Sequence, residues 1–305
     1  MPRAAALDLG SNTLRLLVAE VDHGAWRALT RGLATPRLGR GLKPGGSLDP
    51  EAKALAARHA AEFVSQARDL GAQRVALAAT QACRKAADGA AFVARLAADL
   101  GLDRARVISG PDEARLSRLG VLSRLTGPIA GALLADVGGG STELIDLGDG
   151  NAPALSLELG AVSLAEAHLH TDPPAAGELA ALEAAVAKAL AGLNGRRTAR
   201  LVASAGTAAT LASLVLELAS YEPEAINNLR VGREQLHGQL RRLAALPLDA
   251  RRRTPGLEPE RADIIPAGLA ILAGLLAVLQ LDALTVMDAG LLEGILLDDL
   301  APAAI

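Results

Sequence analysis

Two glycine-rich turns, each preceded by an aspartate, are the segments of this sequence best suited to binding an anion. Asp8 precedes Gly10-Ser11-Asn12, and Asp136 precedes Gly138-Gly139-Gly140-Ser141. Glycine leaves backbone N–H groups open because no Cβ blocks the approach, and converging amide dipoles attract phosphate. One such turn alone is more simply a β-hairpin, but the pair shifts the interpretation toward phosphate.

A third candidate anion site is the segment Ser204-Ala205-Gly206-Thr207, where a predicted strand gives way to a predicted helix. The unpaired amides of a helix N-terminus bind phosphate readily, so Gly206 and Thr207 are candidate phosphate ligands. Taken singly, the segment is more simply a capped helix.

Three carboxylates, Asp8, Asp136 and Glu143, lie at or just after the two glycine turns. A bound phosphate would be repelled by them unless a cation intervened, so we expect bridging by Mg²⁺ or Mn²⁺. The alternative is that Asp8 and Asp136 only cap the turns through side-chain hydrogen bonds. The spacing does not resolve which carboxylates bind the metal directly.

Two further charged residues follow predicted strands. Arg84 comes just after a strand end, where ligands gather in open α/β sheets, and its guanidinium could bind phosphate through two hydrogen bonds. By itself it is more simply a surface arginine. Glu113 lies in the first turn of a helix that Ser109 is predicted to cap, and the helix dipole is sufficient to explain it.

These residues must be positioned by a fold that repeats itself. Residues 8–17 match residues 136–145 in character at each position, with Asp, Gly and Leu at the same offsets. A strand-turn-strand unit used once in each half predicts two similar domains facing each other across a cleft. The break at Gly127-Pro128 places the domains at 1–126 and 127–305, with a final helix able to pack back on the first.

The elements between these turns alternate in the manner of an α/β protein with a largely parallel sheet. A helix begins at Pro50, capped by Asp49, and Gly71 lies just past its end. Further strands are predicted at 74–79, 106–109, 129–137, 141–147, 201–204 and 284–287. Further helices are predicted at 87–100, 111–123, 175–193, 208–219, 233–246, 259–279 and 290–300.

Composition and charge exclude several classes of protein. With 305 residues, 50% hydrophobic and 21% charged, the chain is long enough for two globular domains and is not mainly disordered. The net charge of −3 and the aromatic content of 1% argue against a general nucleic-acid binder. The run Arg251-Arg252-Arg253 is predicted to be a solvated loop, although it could guide a long polyanion.

The expected compartment is the cytoplasm. The single Cys83 cannot form an internal disulfide, and the N-terminus meets Asp8 too early to resemble a signal peptide. The apolar stretch from Ile264 to Leu281 approaches the length of a membrane span. Its proline, its glycines and its acidic flanks instead favour a helix buried between the domains, so no membrane association is expected.

Eight segments, in order along the chain, resemble the exopolyphosphatase and guanosine pentaphosphate phosphatase family, also written Ppx/GppA. They are ALDLGSNTLRLLVAE, ATQACRKA, VISGPDEARL, LLADVGGGSTELI, LELGAVSLAE, ASAGTAATLA, PGLEPERADIIPAGLAIL and VMDAGLLEGIL. The resemblance covers about residues 5 to 300, and the second, third and fourth segments in combination are highly specific. It implies two ribonuclease H-like domains of the sugar kinase/actin superfamily, here without the C-terminal helical domains of larger members.

The resemblance also implies roles for the candidate residues. Water would attack the terminal phosphorus of a phosphoanhydride, and Glu113 matches the family's catalytic base, which overturns the helix-dipole interpretation. Arg84 matches the phosphate-binding arginine, and Asp136 and Glu143 match acidic positions tied to the metal and to water. The phosphate-binding loops match Gly138, Gly139, Gly140, Ser141, Gly206 and Thr207, with Asp8, Gly10, Ser11 and Asn12 in the first loop of the cleft.

Three positions depart from the family pattern. Asp112 stands where a second glutamate is frequent, Ser163 where an arginine is common, and Leu292 where Gly-Leu-Arg-Glu-Gly is usual. None of them removes a proposed catalytic group. They put in doubt ion pairs that could brace the second domain.

The function expected from the resemblance is Mg²⁺-dependent release of orthophosphate from the ends of inorganic polyphosphate. Removal of the terminal phosphate of guanosine pentaphosphate is the alternative within the same chemistry. A metabolite kinase of the same fold and a catalytically inactive binding protein are the alternatives from other classes. The apolar 264–281 helix could pack within the chain or against a second copy, which leaves a homodimer open.

Overall fold

A computed structural model of the chain describes residues 1–22, 25–43 and 45–300. They form two compact units, one of Met1–Ser123 with the C-terminal segment from Gly290, the other of Arg124–Ala289. Each unit is a mixed β-sheet with helices, which confirms the predicted α/β class with two similar domains. The last segment, assigned by sequence to the second half, belongs by its packing to the first unit.

The first unit is built on a five-stranded sheet with the order β3-β2-β1-β4-β5. Strand β1 pairs antiparallel with β2 and parallel with β4, and β5 continues the parallel part. The strands are β1 (Arg3–Leu9), β2 (Leu14–Asp22), β3 (Ala25–Ala34), β4 (Arg74–Ala79) and β5 (Arg104–Val107). The helices are α1 (Pro50–Asp69), α2 (Gln81–Lys85), α3 (Gly89–Leu100), α4 (Gly110–Leu122) and, after the second unit, α12 (Leu291–Ile295).

The second unit is built on a six-stranded sheet with the order β10-β11-β9-β6-β7-β8. Its strands are β6 (Ala132–Val137), β7 (Thr142–Asp146), β8 (Leu155–Leu157), β9 (Arg200–Ser204), β10 (Leu229–Gly232) and β11 (Ala283–Val286). Its helices are α5 (Ala161–His168), α6 (Ala176–Leu190), α7 (Ala205–Leu216), α8 (Pro223–Ile226), α9 (Arg233–Ala244), α10 (Leu248–Arg252) and α11 (Ile265–Val278).

The predicted repeat is visible in both sheets. Read from β8, the second sheet runs β8-β7-β6-β9-β11, and it matches β3-β2-β1-β4-β5 strand for strand, with β10 added at the far edge. The two hairpin turns close with the same bond, from Gly10 N to Thr13 O and from Gly138 N to Ser141 O, each 2.9 Å long. The match at residues 8–17 and 136–145 therefore reflects a repeated strand-turn-strand unit.

Several elements differ from the sequence expectation. The sheets are mixed rather than largely parallel, because β2 and β3 in one unit and β7, β8 and β10 in the other pair antiparallel. Most of the elements that the pattern did not predict are short or half-exposed: β3, β8, β10, α2, α5, α8 and α10. Strand β3, for example, is half-buried at most positions and exposed at the others, so it carries no clear alternation of apolar and polar residues.

Helix α11 is buried inside the second unit, which corrects the expectation that it lies between domains. It packs against α5, α6 and α9 of the same unit, and its leucines and isoleucines belong to that unit's core. Among the described residues, no helix is long and apolar enough to cross a membrane. The apolar run from Ile264 to Leu281 therefore contains a core helix of the second unit.

Candidate active site

Three parallel strands of the first unit end side by side, which brings distant parts of the sequence to one edge. Thr80 N donates to Leu9 O (3.1 Å) at the ends of β4 and β1, and Ile108 N donates to Ala79 O (2.9 Å) just beyond β5. The β1–β2 turn, α2 and α4 begin from these ends. Ligands gather at such carboxyl edges in α/β sheets, and the candidate residues Asp8, Arg84 and Glu113 are carried there.

Arg84 and Glu113 are in direct contact. Arg84 Nη1 donates to Glu113 Oε2 at 3.0 Å and to the backbone oxygen of Ile108 at 2.8 Å. The glutamate side chain is 13% exposed and the arginine side chain 30% exposed. Among the described residues these are the bonds that the Arg84 side chain makes, so its other guanidinium N–H groups remain for a ligand. Glu113 is mostly buried against this cation, whereas Arg84 is an exposed residue that stays open to solvent.

Helix α4 begins as predicted. Asp112 N donates to Ser109 Oγ at 3.2 Å, and Glu113 N donates to Ser109 O at 2.9 Å. This N-cap satisfies backbone donors that would otherwise be unpaired in the first turn. The cap fixes the turn that carries Glu113, and it holds the carboxylate beside Arg84.

The β1–β2 turn is fixed by the loop that follows β3. Gly39 N donates to Ser11 O at 2.7 Å, and Arg37 N donates to Asn12 O at 3.0 Å. The Asn12 side chain is buried, and its Nδ2 makes no hydrogen bond to any described residue. Buried amide donors in folded proteins almost always have a partner, so this one is a candidate for bonding a ligand oxygen.

The second glycine turn has its carbonyl groups turned toward helix α5. Gly138 O accepts from Ala161 N at 3.0 Å, and Gly139 O accepts from Val162 N at 2.8 Å. In a planar trans peptide the N–H of the next residue points opposite to the carbonyl. The N–H groups of Gly139 and Gly140 are therefore directed away from α5, as an anion-binding nest requires.

The turn also depends on a glycine outside it. A Cβ at Gly160 would lie 2.3 Å from Gly139 O, so the start of α5 can approach the turn only because residue 160 has no side chain. The sequence alone indicates no structural role for Gly160. Its role is to hold the glycine turn by backbone hydrogen bonds.

Asp136 and Glu143 lie directly opposite each other on β6 and β7. Glu143 is 4% exposed, and its Oε1 accepts a 2.9 Å hydrogen bond from Ser156 Oγ. Like charges at directly opposite positions destabilise a sheet, and a cation bound by both carboxylates would offset that cost. At the equivalent place in the first unit, Asp8 lies opposite Arg15, which suits a metal less well.

The donor set fits Mg²⁺ or Mn²⁺ held with water and substrate oxygens. Mg²⁺ is commonly bound through one or two carboxylates and retains several waters. Within the described ranges no group of three or more His, Cys, Asp or Glu side chains is close enough to enclose a metal. Asp136 and Glu143 would be the pair to hold such an ion, and this assignment stays a prediction, as does a metal role for Asp8.

The third candidate anion site, at the start of α7, lies under an arginine that sequence reasoning missed. A Cβ at Gly206 would be 2.0 Å from Arg261 Nη1, so the guanidinium lies directly on this glycine. Arg261 Nε is bonded to Glu258, which orients it. The neighbouring Ala205 has φ of 67°, a strained value for a residue with a Cβ. Thr207 is buried against Gly268 of α11.

Comparison with known proteins decides the family. The family model described as the Ppx/GppA phosphatase family matches residues 17–303. The chain belongs to the Ppx/GppA phosphatase family. The predicted resemblance, and with it the assignment as an enzyme of this phosphatase family, is confirmed.

Relatives within the Ppx/GppA family match nearly the whole chain. "Exopolyphosphatase 2" of Mycobacterium tuberculosis is 33% identical over 97% of this chain and 98% of its own length. "Guanosine-5'-triphosphate,3'-diphosphate pyrophosphatase" of Vibrio atlanticus is 30% identical over 96% of this chain but 58% of its own length. The crystal structure of the Aquifex aeolicus Ppx/GppA family member is 27% identical with a TM-score of 0.81, covering 98% of this chain and 97% of that one.

The departures from the Ppx/GppA pattern have local structural roles. Asp112 accepts a 2.7 Å hydrogen bond from Ser109 Oγ and so takes part in the α4 cap. Leu292 is buried in the apolar cluster of the first unit, and Ser163 N donates to Gly139 O at 3.2 Å. None of the three displaces a residue named above as a candidate for binding or catalysis.

Two arginines make contacts that the sequence did not predict, and one of them corrects an expectation. Arg251, expected in a solvated loop, is buried, and it donates to the backbone oxygens of Leu243, Leu246 and Ala262. Arg115, within the family motif that contains Glu113, forms two bonds of 2.7 and 2.9 Å to Asp298 in the C-terminal segment. Hydrogen bonding to Arg115 lowers the pKa of Asp298.

Proposed function

We propose that this chain is an exopolyphosphatase, which hydrolyses the terminal phosphoanhydride of inorganic polyphosphate with Mg²⁺ and releases orthophosphate. The observation that carries the proposal is the contact between Arg84 and Glu113, a phosphate-binding cation held 3.0 Å from a partly buried carboxylate. Phosphoryl transfer needs positioning and charge neutralisation more than covalent chemistry, and this pair can supply both.

Binding of the phosphate chain is assigned to backbone N–H groups, one side-chain amide and cations. In the first unit the donors are Asn12 Nδ2 and the free N–H groups of Arg84. In the second unit they are the N–H groups of Gly139 and Gly140, with Gly206, Thr207 and the Arg261 guanidinium at the start of α7. Hydrogen bonds to an ionised acceptor such as phosphate are among the stronger ones in proteins, which suits a polyanion.

The nucleophile is a water oriented by Glu113. The Glu113 carboxylate accepts a proton from the water while the water oxygen attacks the terminal phosphorus. The P–O–P bond breaks, and the shortened phosphate chain departs as the leaving group. Such general-base help contributes about 10²–10⁴-fold to a rate. The ion held by Asp136 and Glu143 would supply charge neutralisation at the phosphate oxygens.

Polyphosphate is favoured over guanosine pentaphosphate by the extent of the similarity. The relative named for polyphosphate aligns over 98% of its own length, whereas the relative named for the guanosine nucleotide aligns over 58%. Both substrates present the same terminal phosphoanhydride, so the groups described above would act on either. Preference must then come from contacts with the remainder of the substrate.

The test is parallel incubation of purified protein with Mg²⁺ and polyphosphates of several lengths, guanosine pentaphosphate, or ATP with a sugar. Released orthophosphate is measured, with Glu113→Gln protein as the blank for contaminating phosphatases. We expect release from polyphosphate that needs Mg²⁺ or Mn²⁺. Faster release from guanosine pentaphosphate would establish the alternative, sugar phosphorylation would establish a kinase, and inactivity on all three would leave a binding protein.

We infer a cytoplasmic enzyme, on the strength of the buried free thiol of Cys83. The expectation that neither nucleic acid nor membrane is a partner stays a prediction. A homodimer stays a prediction, and light scattering of the purified protein across a concentration series will test it.

A further inference from the structure

Ser204 carries a buried hydroxyl that has no hydrogen-bond partner among the described residues. The residue is 0% exposed, and its Oγ makes no hydrogen bond to any residue that the structure describes. It is the N-cap of α7, yet its side chain does not cap the helix. Buried hydroxyls are normally paired, so an unpaired one beside a functional site indicates a water, an ion or a ligand.

The strand register places Ser204 beside the two carboxylates. Ser204 on β9 lies opposite Asp136 on β6, Asp136 lies opposite Glu143 on β7, and Glu143 lies opposite Ser156 on β8. Directly opposite residues share one face of a sheet. These four residues therefore form one polar row, in which the two carboxylates lie between two hydroxyls.

The two hydroxyls of the row differ in one respect. Ser156 Oγ donates to Glu143 Oε1 at 2.9 Å, so the outer end of the row is satisfied within the protein. Ser204, at the other end, is the member left without a bond among the described residues. Ser204 is the last residue of β9, and the next residue, the strained Ala205, begins α7.

The first unit provides an internal comparison. At the positions equivalent to the row, Asp8 lies opposite Arg15 on β2 and opposite Ala78 on β4. The repeat therefore keeps the aspartate in both units but has Glu143 and Ser204 only in the second. The hydroxyl occurs together with the second carboxylate, as expected if both serve the same ion.

We propose that Ser204 is a positioning residue for the divalent cation. Its Oγ would hydrogen-bond a water bound to the ion that Asp136 and Glu143 would hold. Mg²⁺ and Mn²⁺ retain several waters when two carboxylates bind them, and those waters need acceptors or donors from the protein. This inference rests on the proposed function, since it assigns a residue to that function's metal.

The experiment compares wild type with Ser204→Ala, using Mn²⁺ alone as the probe and no substrate. Mn²⁺ affinity is measured by calorimetry and by electron paramagnetic resonance, and stability is measured by thermal unfolding with and without Mn²⁺. We expect Ser204→Ala to be at least as stable as wild type without metal, because the unpaired hydroxyl is gone. We expect its Mn²⁺ affinity to fall about three- to tenfold, as loss of one hydrogen bond predicts.

Ser213→Ala is the matched control, since Ser213 is also buried in this unit but lies on α7 outside the row. It should leave Mn²⁺ affinity unchanged. Ser204→Cys, nearly the same size but a poor hydrogen-bonding group, carries the test if Ser204→Ala fails to fold, and should lose affinity as Ser204→Ala does.

The outcomes separate this inference from the proposed function. Tight Mn²⁺ binding by wild type with equal binding by both Ser204 variants would overturn the role of Ser204 and leave the exopolyphosphatase proposal intact. Absence of Mn²⁺ binding by wild type would overturn the metal assignment, and with it this inference. Polyphosphate hydrolysis in the absence of any divalent cation would do the same.

Discussion

Arg84 connects Glu113 to the end of strand β5. Its Nη1 donates at once to Ile108 O (2.8 Å) and to Glu113 Oε2 (3.0 Å), so the cation proposed to bind phosphate also sets the position of the proposed base. Because the guanidinium is also bonded to a backbone oxygen, rotation of the Glu113 carboxylate would break its contact with Arg84. Substitutions at either residue should therefore affect the other.

Replacing Glu113 with glutamine should reduce turnover by about 10²–10⁴-fold while polyphosphate affinity changes little. The amide oxygen of glutamine can still accept the bond from Arg84, so the geometry survives while the base is lost. Steady-state hydrolysis and equilibrium binding of a short polyphosphate measure the two effects.

Asp112→Asn is the matched control for Glu113→Gln. Asp112 lies on the same turn and loses the same charge, but its carboxylate is bonded to Ser109 Oγ. Its turnover should stay near wild type. A comparable loss of turnover in both variants would show that charge in this turn, rather than a base at Glu113, is what matters.

Replacing Arg84 with alanine should weaken polyphosphate binding and turnover together. One or two charged hydrogen bonds to phosphate are lost, about 1.5–3 kcal/mol each, and Glu113 loses its anchor. The double variant Arg84→Ala with Glu113→Gln should lose less than the sum of the single effects, because the two residues are in contact.

Lys85→Ala, which removes the neighbouring exposed cation, is the control for Arg84. Its Michaelis constant should remain close to wild type. A wild-type Michaelis constant for Arg84→Ala, or strictly additive losses in the double variant, would contradict the assignment of Arg84.

The sequence carried enough information to find the parts of the site that depend on local structure. The repeat at residues 8–17 and 136–145 predicted both hairpin turns, and the Asp49 cap is present, with Asp49 Oδ1 accepting from Ala52 N at 2.8 Å. Glycine turns, helix caps and strand ends are encoded within a few residues, so a single sequence shows them.

The contacts that were missed have no recognisable sequence pattern. Arg261 lies on Gly206, far from it in the sequence, and Arg251 donates to Leu243 O near the end of α9. The Asp136, Glu143 and Ser204 row required the strand register, because β9 joins β6 only after two intervening helices, α5 and α6. Side-chain partners that meet through the tertiary fold cannot be read from spacing alone.

Gly120 should be far less tolerant of alanine than another glycine within a helix. A Cβ at Gly120 would lie 1.8 Å from Gly290 O, where α4 meets the C-terminal segment, whereas one at Gly238 in α9 meets nothing within 4 Å. Gly120→Ala should destabilise by about 1–3 kcal/mol or more through overpacking. Gly238→Ala should stabilise by up to about 1 kcal/mol through helix propensity.

Denaturant unfolding of the two glycine variants gives the comparison directly. Because α4 also carries Glu113, Gly120→Ala should lower activity as well, while Gly238→Ala should not. Equal stability of the two variants would show that α4 and the C-terminal segment do not pack as closely as described.

The thiol of Cys83, next to Arg84, should be unreactive in the folded protein. Burial raises the pKa of Cys83 to about 12, with the negative charge of Asp88 adding to the effect. An unfolded cysteine has a pKa of about 8.5, so above that pH the unfolded chain loses a proton that the folded chain keeps. This contribution to stability is therefore complete below about pH 8.5 and is lost as the pH rises toward 12.

Alkylation by iodoacetamide at about pH 8 measures this protection, with urea-unfolded protein as the reactive reference. We expect labelling of the native protein to be limited by opening of the first unit. Polyphosphate bound at Arg84 should slow it further, because a ligand of the folded state reduces the open population. The pH-dependent loss of stability should be smaller in Cys83→Ala than in wild type. Rapid labelling of folded protein would show that the segment carrying Arg84 is open to solvent, and would remove the basis for a preformed Arg84 and Glu113 pair.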